Sequence, residues 1–254
     1  MWWKHNFVKQ YIGIMDIISR FRSYCFDVFF YVFTISLFII LWVPVIILPR
    51  WCCVLWYKTW THIIMFSLKL IVGLDYKILG QEKLDEALKN GPVILACKHQ
   101  SAWETLIFST LVKRFVIVLK KQLTQIPGYG SYLVKLNSIV IDRSNGMKSL
   151  KSLISQGKKS IDNNFSILIF PEGRRGAYGQ PGNYQSGIGI LYQELNVTVV
   201  PISLNSGKFW ARRSKFKKPG CITLEFLDPI PAGLPRAEFM QLLQERIELG
   251  CAKL

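Results

Sequence analysis

From Val28 to Leu48 the chain runs VFFYVFTISLFIILWVPVIIL, twenty-one consecutive residues without a charge. As a helix this segment is about 30 Å long, the thickness of a bilayer hydrocarbon core, so it predicts a membrane-anchoring helix; the alternative is a helix buried in a protein core. The run starts late and is followed by Pro49, Arg50 and Trp51 in place of small residues, which argues against a cleaved leader. Pro44 allows a kink, and basic residues flank both ends (Arg20 and Arg22, Arg50 and Lys58), so charge does not orient the segment, and both a span and a re-entrant helix fit. The next stretch, Trp51 to Leu74, carries Lys58, His62 and Lys69 among aromatic and aliphatic residues, a composition suited to a helix in the headgroup region.

Beyond Leu74 the pattern changes. Short apolar runs at 92–98, 114–120, 137–141, 165–170, 196–204 and 221–227 read as buried strands, the last a late one. Apolar residues at helical spacing lie between and after them: Met147, Leu150, Leu153, Ile154 and Ile161, then Phe239, Leu242, Leu243 and Ile247. This rhythm predicts an α/β fold, a largely parallel sheet flanked by helices and preceded by the N-terminal membrane-anchoring helical segment, with the boundary between 74 and 75.

The net charge of +16 selects polyanionic surroundings, and no nucleic-acid motif accompanies it. The apolar segment directs that charge toward anionic lipid or a phosphorylated substrate. In KFWARRSKFKK, Lys208 to Lys218, six cations surround Phe209, Trp210 and Phe216, which suits contact with anionic lipid or a solvated loop. The six cysteines form no C-x-x-C pair and predict reduced thiols; with three histidines, only one of them in the α/β part, no His-rich metal site can be built.

That one histidine, His99, lies in H-Q-S-A-W-E between a strand and a helix-like segment. On one continuous helix His99 and Glu104 would stand about 140° apart, so they meet only if His99 lies in the turn before the helix. There Glu104 could accept Nδ1–H and leave Nε2 as a base. Ser101 and Glu104 also fit the capping-box spacing, in which Glu104 bonds only the backbone of the cap. FSILIFPEGRRG places Glu172, Gly173, Arg174 and Arg175 on the turn at the carboxyl end of another strand, the edge where open α/β sheets bind ligands. Adjacent guanidiniums are planar forks for phosphate, and Gly173 permits close backbone approach. IDRSN puts Arg143 after a further strand, next to Asp142.

The ordered set KHQSAWE, IDRSN, FPEGRR and VVPISLNSG resembles the four blocks of the glycerolipid acyltransferase family, of the 1-acylglycerol-3-phosphate acyltransferase type, over roughly residues 76–207. The resemblance implies His99 as general base with Glu104 orienting it, Arg143 and Arg175 as phosphate ligands, and Pro201 in the fourth block near the acyl pocket. Lys121, in KKQLTQIPGYG, resembles the family's Lys-Glu-Leu segment, with Gln122 in place of Glu. Two departures stand out: Glu104 replaces the family's Asp, and Arg174 replaces the Thr of Phe-Pro-Glu-Gly-Thr-Arg. The implied activity is acylation of the free sn-2 hydroxyl of lysophosphatidate, with acyl-CoA or acyl carrier protein as co-substrate and no further cofactor. The implied partners are membrane lipids, the implied place a membrane with residues 75–254, the acyltransferase domain, on its cytoplasmic face. Another lyso-lipid, such as a lyso-ornithine lipid, or a catalytically silent membrane-binding protein is the rival reading.

Overall fold

The structure is a computed structural model that describes residues 2–126 and 129–254, and of residues 2–14 and Arg143 the backbone only. Helix α1 (Trp2–Ile47) is followed by α2 (Arg50–Ser67), which runs into a π-helical turn, Leu68–Val72, closed by Gly73 in the left-handed region at φ 78°. The α/β part then reads β1 (Leu74–Leu79), α3 (Gln81–Lys89), β2 (Ile94–Cys97), α4 (Trp103–Leu111), β3 (Phe115–Lys120), α5 (Tyr129–Lys135), β4 (Ile139–Ile141) and α6 (Gly146–Asp162). It continues with β5 (Ser166–Ile169), α7 (Ser186–Leu195), β6 (Val199–Leu204), α8 (Ser206–Phe209), β7 (Gly220–Phe226) and α9 (Arg236–Ala252).

One sheet contains these strands in the order β1-β7-β6-β2-β5-β3-β4. The five from β6 to β4 are mutually parallel, as the alternating pattern predicts; β7 pairs antiparallel with β6, and β1 joins parallel to β7. Strand β1 is absent from the sequence reading because LDYKIL mixes polar and apolar residues. It is an edge strand with one neighbour and only Leu74 buried. Every residue of β2, β5 and β6 is buried, which is why these runs are continuously apolar.

Alternation along the strands divides the core in two. Ile94, Ala96, Ile167 and Val199 face α6, α7 and α9, where Tyr192 and Phe239 stack at 3.8 Å. Leu95, Cys97, Leu168 and Val200 face the other layer, which α3 and α4 share with Trp60, Ile64 and Met65 of α2, Leu68 and Val72 of the π turn, and Phe26 of α1. The inner side of α2 is therefore packed on the sheet layer, while Trp51, Leu55 and Phe66 stay exposed.

Helix α1 contains the one segment among the described residues long and apolar enough to cross a membrane, Met15–Ile47. One side of it is docked along the α/β part. At its middle Ser23 Oγ accepts from Lys217 N (2.7 Å) and Asp27 pairs with Lys217; further along Thr34 accepts from Trp60 (3.1 Å); near the carboxyl end Val45 packs with Cys53 and Tyr132. The opposite side exposes Phe21, Tyr24, Val28, Ile35, Ile39 and Val43, an apolar stripe at helical spacing that water disfavours.

Candidate active site

The turn after β2 is built around one carboxylate. Helix α4 starts at Trp103, so His99 to Ala102 form a loop, and the helical geometry that separates His99 from Glu104 no longer applies. Glu104, fully buried in the first turn of α4, turns back over that loop. Its Oε1 lies 2.9 Å from His99 Nδ1 and accepts from the backbone N–H groups of Gln100 and Ser101 at 2.6 Å each. Its Oε2 accepts from Ser206 Oγ at 2.9 Å. One oxygen thus makes the capping contact and the histidine contact together, and the two sequence alternatives are compatible. The negative end of this side chain also lies where the α4 dipole favours it.

The imidazole is held on its other sides as well. It stacks on Phe170 at 4.0 Å and 18°, and the His99 carbonyl accepts from Gly176 N (2.8 Å) on the Arg-bearing turn. Gln100 Oε1 accepts from Gly207 N (2.9 Å), joining α8 to the same loop. With Nδ1 engaged by Glu104, Nε2 is the ring nitrogen left to act as a base, and the His99 side chain is 13% exposed.

Beside it, the turn after β5 splits into an inward and an outward half. Glu172 points inward, 4% exposed, with Oε1 2.7 Å from Lys98 Nζ. Lys98, also buried, reaches both oxygens of Glu248 on α9 at 2.7 and 2.9 Å. Gly182 N and Tyr184 Oη donate to Glu248 at 3.0 and 3.1 Å. A Cβ on Gly182 would lie 2.2 Å from Glu172 Oε1, so the backbone closes on this carboxyl only because residue 182 is glycine. Burial works against the Lys98 ammonium, and its ion pairs with Glu172 and Glu248 outweigh that, holding its pKa above the usual lysine value. Burial pushes the Glu172 carboxyl up, with Lys98 opposing, because one cation is shared between two acids.

The outward half carries Arg174, exposed, and Arg175, half-buried. Among the described residues neither guanidinium enters an ion pair; the Arg175 carbonyl accepts from Arg212 (3.0 Å). Gly173 has φ 67°, a conformation suited to glycine.

Strand order places the remaining candidates. The turns after β2, β5, β3 and β4 follow one another along the carboxyl edge, carrying His99, Arg174 and Arg175, Lys121, and Arg143 in turn. At about 4.8 Å per strand the Arg turn is the immediate neighbour of His99 and the Arg143 turn is about 14 Å away. Lys121 Nζ lies 3.3 Å from Asp142 Oδ2, and Asp142 also accepts from Ser144 and Asn145; Ser144 first and Lys121 second hold its carboxyl below the usual range. The backbone of Arg143 is on the short helical turn Arg143–Asn145, and its side chain lies outside the described residues. Pro201 sits inside buried β6, opposite Ala96, with its carbonyl accepting from Leu227 N (2.9 Å).

Sequence reasoning did not single out Lys98, Gln100, Ser206 or Glu248. Ser206 lies in the VVPISLNSG block, which was the available signal. Glu248 is 150 residues from Lys98, and nothing in the helical pattern of α9 marks it.

The family model described as Acyltransferase matches residues 76–205, just over half of the chain. A 1-acyl-sn-glycerol-3-phosphate acyltransferase of Pseudomonas aeruginosa is 33% identical over 165 residues, covering 65% of this chain and 63% of that protein. A 1-acyl-sn-glycerol-3-phosphate acyltransferase beta of Homo sapiens is 25% identical over 180 residues, covering 70% and 64%. This chain thus spans somewhat less than two thirds of the length of these relatives. The crystal structure of the 1-acyl-sn-glycerophosphate (LPA) acyltransferase PlsC from Thermotoga maritima superposes with a TM-score of 0.71 at 17% identity, covering 95% of this chain and 96% of that one, a likeness of fold. With the five parallel strands β2 to β6, the His-bearing turn and the Arg-bearing turn all inside the matched segment, this chain belongs to the acyltransferase family.

Proposed function

We propose that this protein transfers an acyl group from a thioester donor, acyl-CoA or acyl carrier protein, to the free sn-2 hydroxyl of lysophosphatidate, giving phosphatidate. The observation that carries this reading is the adjacency of a half-buried, carboxylate-anchored histidine and two arginines that have no acidic partner among the described residues, on neighbouring turns of one sheet edge. His99 Nε2 takes the hydroxyl proton as the oxygen attacks the thioester carbonyl, and Glu104 stabilises the imidazolium. The tetrahedral intermediate collapses with breakage of the C–S bond, and the proton passes from His99 to the departing thiolate. No acyl-enzyme forms.

Arg175 and Arg174 are the proposed phosphate forks, with the Gly173 backbone beside them; Lys121 and Arg143 approach from the next turns. Glu172 acts in this scheme from beneath, holding the Arg turn through Lys98. The relatives named for acylation of acylglycerol phosphate support lysophosphatidate as the acceptor. Incubating purified protein with lysophosphatidate and with lysophosphatidylcholine, each with a thioester donor, and identifying products by mass spectrometry tests the assignment. Phosphatidate is the expected product, and absence of transfer to the phosphate monoester would overturn it.

The docking of α1 along the α/β part from Ser23 to Val45 favours a helix whose outer stripe enters one leaflet, with the sheet edge at the surface. The basic run sits on that helix: Lys217 turns inward over Phe26 and Trp210, while Arg212, Arg213 and Lys215 remain exposed toward anionic lipid. On this reading the leaflet is the cytoplasmic one, because the thioester donors are found on that side. Cysteine replacements at Ile35 and Ile39 that react with a membrane-impermeant reagent from the far side would overturn the one-leaflet arrangement.

A further inference from the structure

A second concave site lies apart from His99. A cavity of about 410 Å³ is enclosed by α2, the end of α4, the start of β3 and α5. It reaches Phe115 at the start of β3 and Phe165 just before β5, the amino edge of the sheet, whereas His99 and the Arg turn follow the carboxyl ends. Its walls include Val54, Val112, Val116, Leu133 and Leu136, and its volume is within the usual range for a pocket holding an organic ligand.

The charge on this cavity has one sign. Arg50, Lys58, Lys113 and Arg114 line it, and among the described residues no acidic one does. The Arg50 and Arg114 guanidinium carbons lie 4.4 and 4.5 Å from the centre of the Phe165 ring, so two like charges are held within about 9 Å of each other. Lys58 stands eight residues along α2 from Arg50, about 12 Å on the helix. The two arginines spend their described hydrogen bonds on backbone carbonyls, Arg50 on Leu136 and Arg114 on Asn163 and Asn164, and the Nε of Arg50 is buried with no hydrogen-bond partner among the described residues. Arg50 also opens α2, where the helix dipole disfavours a cation. Such a cluster is complete only with an anion. Trp51, on the cavity wall, is itself exposed, as are Ile47 and Leu55 four residues before and after it, apolar surface of the kind that enters a bilayer.

We propose that this cavity binds an anionic phospholipid of the surrounding membrane, with one acyl chain between α2, α4 and α5 and the headgroup phosphate at Arg50, Lys113 and Arg114. The chain satisfies the apolar walls and the phosphate removes the repulsion of the paired guanidiniums. The cavity's cation cluster lies at the amino edge of the sheet, opposite the Arg175 turn, although Tyr129 on the cavity wall feels the charge of Arg175; the proposal does not rest on the acyl-transfer reading.

The test uses the full chain in neutral detergent micelles with phosphatidylglycerol carrying a diazirine in its acyl chain. Irradiation followed by peptide mass spectrometry is expected to place the label on 109–117 and 132–138. Phosphatidylcholine with the same diazirine should label those peptides about fivefold less or weaker still, at about 1 kcal/mol per cation engaged. Millimolar inorganic phosphate should leave the labelling unchanged, because the chain contributes to binding. The double variant Lys58→Gln, Lys113→Gln removes charges that hold no described hydrogen bond and should bring labelling down toward the phosphatidylcholine level. Arg50→Gln with Arg114→Gln should do the same wherever circular dichroism shows the fold retained. His99→Ala should label as the unmodified protein does, so loss of acyl transfer and loss of this site are read separately. Equal labelling by both lipids, label confined to the outer stripes of α1 and α2, or undiminished labelling of the lysine variant would overturn the proposal.

Discussion

The turn after β2 and the turn after β5 are neighbours on one sheet edge and are built in opposite ways. His99 is held by Glu104, Phe170 and Gly176, and Glu104 in turn by two backbone N–H groups and Ser206. Arg174 and Arg175 extend outward with no acidic partner among the described residues, although their turn is anchored beneath by Glu172 and Lys98. The difference teaches where preorganisation is stored. A general base must be aligned before substrate arrives, so the fold supplies all its contacts. The proposed phosphate ligands must keep their charge unsatisfied until the phosphate is present, and here the fold supplies position while no acidic partner stands among the described residues.

The largest effect should come from the held side. His99→Ala is expected to lower turnover by about 10²- to 10⁴-fold with the acceptor KM nearly unchanged, read by steady-state kinetics. Beneath the two turns, Lys98→Met leaves the buried Glu172 carboxylate without its cation beside the half-buried Glu248 and is expected to cost about 3 to 5 kcal/mol in denaturant unfolding. Loss of the cation raises the Glu172 carboxyl further above its unfolded value, so the deficit is small at low pH and grows as pH rises through the folded pKa. Adding Glu248→Gln should recover part of the loss, whereas an unchanged midpoint for Lys98→Met would show that the cluster is not an anchor.

Glu104→Gln separates geometry from charge. An amide oxygen still accepts from Gln100 N and Ser101 N, so the loop should persist while the imidazolium loses its counter-charge, giving about a 10- to 10²-fold drop in turnover with unchanged stability. Full activity would reduce Glu104 to a cap. The open side should respond more mildly and through the acceptor. Arg175→Ala is expected to lower kcat/KM for lysophosphatidate by about 1 to 3 kcal/mol with donor KM unchanged, and Arg175→Lys to restore only part, because an ammonium lacks the bidentate fork. Arg143→Ala, three strands from His99, should cost about 1 kcal/mol or less. An effect of Arg143→Ala equal to that of Arg175→Ala would mean that the phosphate lies across the edge and not beside the base.

Much of this was legible along the chain because it is local. The apolar run that becomes α1, the continuous apolar strands, and the strand-to-helix position of His99 follow from periodicity and from the covering of both sheet faces. LDYKIL escaped because an edge strand with one partner carries little pattern. Ser206 and Glu248 escaped because their partners are 102 and 150 residues away in the chain. The basic run hid a division of labour: Lys217 is 3% exposed and grips α1, while its neighbours face outward, and composition does not distinguish them.

By itself the sequence determined the kinds of elements, their order and the residue types at each turn, since hydrophobic period, turn chemistry and charge are properties of neighbours in the chain. Only the tertiary structure decided that β5 lies against β2 and puts Arg175 next to His99, with Lys121 and Arg143 progressively further off. Only it decided that Glu104 meets both its cap and the imidazole, that α9 holds the candidate site's edge through Lys98, and that Arg50 and Arg114 share one aromatic ring. Strand pairing and burial act through space between segments distant in sequence, and the energy of a buried charge depends on what the rest of the chain brings to within a few ångströms of it.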